Sequence, residues 1–207
     1  MGPDGARALA ASPYLTRITW LAMLHCGIGP DGVRALAASP HLRNVTFLDL
    51  SAWDWTSPNL LGDEGARALA KSAYLTRLAR LDLTENDIGD AGAGALAGSV
   101  NLSGLTHLNL SGNLISLDGV RALAASPNLS QLAFLRIGGY RFTEDSCYHE
   151  AAEALLASSH LPKLACLDLG YPYPGGPDAD TKEALRKRYG NRVVWGDGQP
   201  GLHLIDR

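Results

Sequence analysis

Aromatic residues are scarce in this chain. Phenylalanine, tyrosine and tryptophan make up 7% of 207 residues that are 46% hydrophobic overall, so a core of domain size has to be built mainly from leucine and alanine. Long apolar runs are missing as well. No stretch of 18 apolar residues occurs and no basic segment precedes an apolar one at the N-terminus, which predicts neither a transmembrane span nor a secretory signal. Charge of one sign is not in excess: 18 Lys and Arg face 21 Asp and Glu, for a net charge of −3. That balance gives no electrostatic reason to expect nucleic acid or an acidic membrane as partner. Cysteines number three, Cys26, Cys147 and Cys166, odd in count and far apart. They read as reduced thiols of a cytoplasmic protein, not as a disulfide framework. With no leader, the Asn-x-Ser/Thr triplets at Asn44, Asn101 and Asn128 read as accidents of composition. No phosphate-binding loop, dinucleotide fingerprint or His-Glu-x-x-His motif occurs, and no cofactor is predicted.

What the chain has in abundance is repetition. Ala-Leu-x-x-Ser followed three residues later by Leu recurs with serines at Ser12, Ser39, Ser72, Ser99, Ser126 and Ser158, spaced 27, 33, 27, 27 and 32 residues apart. A period in the twenties on a leucine pattern points to a solenoid, and the two long spacings mark insertions near residues 53–61 and 140–149. Each unit has two halves. In the first, apolar and polar residues alternate, as in Leu81-Asp82-Leu83 and Leu108-Asn109-Leu110, which predicts a short strand with one buried face. In the second, Ala68-Leu69 or Ala95-Leu96 sits on a predicted helix of about three turns. Gly29-Pro30-Asp31 starts such a helix with a permissive residue, a proline and an acid at its positive end. Pro40 and Pro127 stop it. One unit cannot bury its own leucines, so the units have to stack, strands parallel on the inner curve and helices outside.

The segment from Asn86 to Ala97, N-x-I-G-D-x-G-A-x-A-L-A, resembles the ribonuclease-inhibitor-type leucine-rich repeat, and the resemblance covers about residues 2–176. It implies an α/β horseshoe with a parallel β-sheet on the concave face and helices on the convex face. On this reading residues 1–176 are an array of about six repeats and 177–207 a C-terminal cap and tail. The cap carries a helix opened at Asp180-Thr181 and ended by Gly190, then a short strand at Val193-Val194-Trp195. The repeat type also implies a ladder of side-chain amides in the turns after the strands, at Asn86 and Asn113, with Cys26 in the same slot of the first repeat. Trp53, Tyr140 and Pro172 fill that slot elsewhere and lack the amide.

Binding residues are predicted on two surfaces. On the concave sheet they are Trp20, Phe47, Arg80, Asp82, His107, Asn109, Phe134 and Arg136, an apolar N-terminal end giving way to charged and amide groups. On the rim they are Trp53 and Trp55 in the first insertion and Tyr140 and Phe142 in the second, with loop roots about 15 Å apart at the spacing of parallel strands. These rings either grip a partner or fold back over the base of their own loops. Cys147 and His149 share a loop with Glu144, Asp145 and Glu150, but no second Cys or His pair follows at zinc-ligand spacing, so no metal site is predicted. The leading reading is a non-catalytic, monomeric protein-interaction module. The alternatives are a GTPase activator, by resemblance to the Ran-activating members of the repeat subclass, or a structural stretch of a larger receptor or ligase whose blunt start lacks a polar cap.

Overall fold

Leucine spacing decides the architecture. In a computed structural model of the chain, seven short strands pair in parallel in sequence order: β1 (Trp20–Ala22), β2 (Phe47–Asp49), β3 (Arg80–Asp82), β4 (His107–Asn109), β5 (Phe134–Arg136), β6 (Cys166–Asp168) and β7 (Val193–Val194). The structure describes residues 1–52, 59–138, 145–169, 178–190 and 193–194, with the backbone alone at 145–148 and 194. The register puts Leu21, Leu48, Leu81, Leu108, Leu135 and Leu167 in one row across the sheet. All six are buried, as are Leu50, Leu83, Leu110 and Ile137 two positions on. Side chains two apart on a strand share a face, so alternation alone turns both rows into the core. Each buried leucine contributes about 1.5–3 kcal/mol.

Helices return the chain from strand to strand: α1 (Gly2–Ala10), α2 (Gly29–Ala37), α3 (Gly62–Ala70), α4 (Asp90–Ala97), α5 (Leu117–Ala124), α6 (Asp145–Ala157) and α7 (Ala179–Tyr189). The first five run eight or nine residues, shorter than the predicted three turns. Each packs on its sequence neighbours, presenting pairs such as Val33 and Leu36 or Val120 and Leu123 to the core. Close approach demands a residue with no side chain at one point of the interface. A Cβ on Gly92 would lie 2.6 Å from both Asp63 Oδ1 and Ile88 Cγ2, and one on Gly119 would lie 2.6 Å from Asp90 Oδ1 and Ile115 Cγ2.

The serines of the repeat ruler have a physical task. After the helix each serine hydroxyl from the second repeat on donates back to the last helical carbonyl of the preceding repeat: Ser39 to Ala10, Ser72 to Ala37, Ser99 to Ala70, Ser126 to Ala97 and Ser158 to Ala124, at 2.5–2.6 Å. These buried hydroxyls satisfy carbonyls that the helix end leaves without a partner. Beyond Ser39 and Ser126 the prolines do more than stop the helix; they begin one-turn 3-10 segments, Pro40–Leu42 and Pro127–Leu129, that carry the chain to the next strand.

The last unit extends the same stack. Asp178 caps α7 by accepting from Thr181 N at 2.7 Å, two residues ahead of the Asp180-Thr181 start predicted, and Gly190, at φ 78°, ends the helix. Leu185 and Tyr189 are buried, and Tyr189 Oη donates to Leu155 O at 2.5 Å. The seventh strand then pairs Val193 with Leu167.

Candidate protein-binding face

The strand positions facing away from the core form two columns on the concave sheet, and neighbouring strands set how open each is. In the first column Trp20 is 57% exposed and its ring stacks on Phe47 at 5.4 Å between centroids and 13° between planes. Leu24 and Ala22 beside it are exposed as well. Arg80 and His107 are half-buried, and Phe134 is only 9% exposed because the His107 ring stacks on it at 5.8 Å.

Thr106 Oγ1 donates to Ala79 O at 2.9 Å and lies 2.8 Å from His107 Nδ1. Burial, and then the neighbouring Arg80 charge, hold the imidazole below its ordinary value, so the ring is neutral at pH 7.

The second column is a hydrogen-bonded floor. Asp82, 6% exposed, accepts from Thr84 N at 3.0 Å, from Thr84 Oγ1 at 2.6 Å and from Asn109 Nδ2 at 3.0 Å. Asn109, 3% exposed, accepts in turn from Ser111 N. Arg136 Nε lies 2.6 Å from Asp168 Oδ2. Asp82, Asn109 and Phe134, predicted to be displayed, are therefore buried, since strands packed side by side let short polar groups cover one another. Burial raises the Asp82 carboxyl, and the nearby Asp49 charge adds to the rise against the bonds from Thr84 and Asn109.

In the turns beyond the strands, Asn113 donates to Leu83 O and Leu110 O at 2.8 and 2.9 Å and accepts from Asn86 N and Ile88 N at 3.0 Å. Asn86 donates to Leu50 O and Thr84 O, but its Oδ1 is buried with no partner among the described residues. The Cys26 thiol donates to Leu24 O at 3.3 Å, within its own turn. The slot predicted for Trp53 belongs to Asn59. This residue donates to Met23 O and Leu50 O at 2.9 Å and accepts from Cys26 N and Ile28 N. The extra residues of the first insertion all precede Asn59, which stands 27 residues before Asn86, the same interval that separates Asn86 from Asn113.

A second missed set lies at the helix starts. Asp63 Oδ1 accepts from Gly89 N and Gly92 N, and Asp90 Oδ1 from Ser116 N and Gly119 N, so each acid caps the following repeat's helix. Recurrence of Gly-Asp at Gly62-Asp63 and Gly89-Asp90 is the signal that could have found them.

Trp53, Trp55, Tyr140 and Phe142 lie outside the described residues, as does the side chain of Cys147. Among the described residues no group of three His, Cys, Asp or Glu is placed to hold a metal ion, and no helix is long and apolar enough to cross a membrane. Cys26 is half-buried and Cys166 buried.

An open run of parallel strands with helices stacked outside defines an α/β leucine-rich repeat solenoid. The chain carries leucine-rich repeats by direct comparison too: residues 74–97 and 102–124 match the family model described as Leucine Rich repeat. No curated protein matches the chain. Repeats of this kind are typically protein-interaction modules, in general without catalytic activity.

Proposed function

We propose that the chain is a non-catalytic protein-interaction module of the ribonuclease-inhibitor-like subclass, acting as a cytoplasmic monomer on a protein partner and not on nucleic acid. The helix in every described repeat supports the subclass. The observation that carries the function is Trp20, a large ring left more than half exposed while lying flat on Phe47. Exposed contiguous aromatics on a rigid sheet are the form that interface anchors take. Trp20, Phe47 and Leu24 form the centre of the docking surface, and Arg80, His107 and Asp49 give it direction. Asp82, Asn109, Phe134 and Arg136 act from beneath as a fixed floor. Trp53, Trp55, Tyr140 and Phe142 complete the surface from the rim.

The test is affinity capture from the source cell with wild type, W20A, F47A and the convex-face control R121A, each checked for an unchanged melting temperature. Losing an aromatic anchor costs about 2 kcal/mol or more in affinity, so W20A and F47A are expected to lose the partners that R121A retains. If both recover the same proteins as wild type, the concave assignment is wrong.

A further inference from the structure

Charge is sorted by edge in this molecule. Acids of the helices stand opposite arginines of the helices: Arg7 bridges Asp4 and Asp31, Arg34 bridges Asp31 and Glu64, and Arg121 bridges Asp118 and Glu150. The six segments that run from helix to strand, 11–19, 38–46, 71–79, 98–106, 125–133 and 157–165, contain no Asp or Glu at all. They carry Arg17, Arg43, Lys71, Arg77 and Lys163, all exposed.

These segments form one continuous edge. Arg77 Nη1 donates to Asn44 Oδ1 at 2.7 Å, and Asn44 Nδ2 donates to Thr16 O at 2.7 Å, which ties the third repeat to the second and the second to the first. Further along, Lys163 donates to Gln131 Oε1. Both cations meet neutral partners, and no ion pair forms with Arg17, Arg43, Lys71, Arg77 or Lys163 among the described residues. Tyr14, 90% exposed, and Tyr74, also exposed, stand among the arginines.

We infer that this edge is a second docking surface, for an extended acidic segment of a partner protein. The inference rests on the reading of the chain as a protein-binding module, though on none of the concave residues. Charge complementarity selects the occupant. Asp4, Asp31, Glu64, Asp118 and Glu150 already have arginine partners, so those helices of a second copy offer few carboxylates. Arginine forks pair with carboxylates in a defined geometry, and tyrosine and arginine are the residues that concentrate interface energy. The cations of the first three segments, Arg17, Arg43, Lys71 and Arg77, suit the carboxylates of an extended peptide. A nucleic acid needs a denser track of cations than these segments carry to release its counterions.

Fluorescence anisotropy with a labelled poly-glutamate peptide tests this, alongside a poly-lysine peptide and oligo-dT of matched length. The glutamate peptide is expected to bind saturably and to weaken as salt rises from about 50 to about 300 mM. The variant R17E/R43E/R77E is expected to lose on the order of tenfold in affinity, and R17A/R43A/R77A a smaller factor in the same direction. Circular dichroism confirms the fold of each variant, and the alanine variant decides the matter if the glutamate one misfolds. W20A/F47A is expected to bind the peptide as wild type does, whatever becomes of its concave partners. Affinity untouched in both triple variants overturns the inference. So does equal loss in W20A/F47A, which would place the peptide on the sheet, and so does oligo-dT binding more tightly than the peptide.

Discussion

At Asn113 one carboxamide closes four hydrogen bonds, two from Nδ2 to Leu83 O and Leu110 O and two into Oδ1 from Asn86 N and Ile88 N. Removing it leaves several buried backbone groups unpaired, so N113A is expected to cost about 2–4 kcal/mol in urea unfolding. N59A is expected to cost about as much, which separates Asn59 from a mere loop residue. S126A deletes one buried bond to Ala97 O and is expected to cost about 1–2 kcal/mol. The amides at Asn86 and Asn113 were readable because they stand at a fixed offset from the strand leucines. Asn59 was hidden because counting forward from Leu50 lands on Trp53, whereas counting back 27 from Asn86 lands on the amide.

Asp82 adds a pH dependence whose sign is fixed by its raised carboxyl. The folded state holds that proton more tightly than the unfolded state. The stability involved is therefore complete below the ordinary value of 3.8 and drains away as pH rises through the higher folded value. Urea unfolding of wild type and D82A at stepped pH from about 4 to about 7 is expected to show the wild-type advantage shrinking as pH rises. A constant gap would mean that the carboxyl titrates normally.

At the scale of the element, α4 is informative because it lacks the charges of its neighbours. Ala91 and Gly94 stand where α2 has Asp31 and Arg34. A Cβ added at Gly94 would meet nothing within 4 Å, so G94A is expected to stabilise by about 0.5–1 kcal/mol through helix propensity alone. Two residues earlier the sign reverses. G92A drives a methyl into Asp63 Oδ1 and Ile88 and is expected to destabilise by about 1–3 kcal/mol. Thermal melts of the two single variants check the pair. Strand and helix positions were legible because their periods differ and each period buries its own leucines. The closure of Asp82 and Asn109 was not legible, since it depends on which side chains meet across the sheet and not on either strand alone.

Across the whole molecule, among the described residues, the helices and strands pack chiefly on those of neighbouring repeats, so stability is shared along a line and not around a centre. L108A, in the fully buried strand row, is expected to cost about 2–5 kcal/mol and to lower hydrogen-exchange protection first in the repeats on either side. The parallel stacking of strands with helices between them was legible in the serine and leucine spacing. The sorting of charge by edge was present in the sequence but has meaning only once the segments are aligned in space.

The idle Oδ1 of Asn86 sits at the junction of the second and third repeats, where the junctions on either side each gain two amide bonds from Asn59 and Asn113. Held at both ends and stretched, the chain has a fault line there. The first rip in an optical trap should release the two leading repeats as a block and leave the remainder standing.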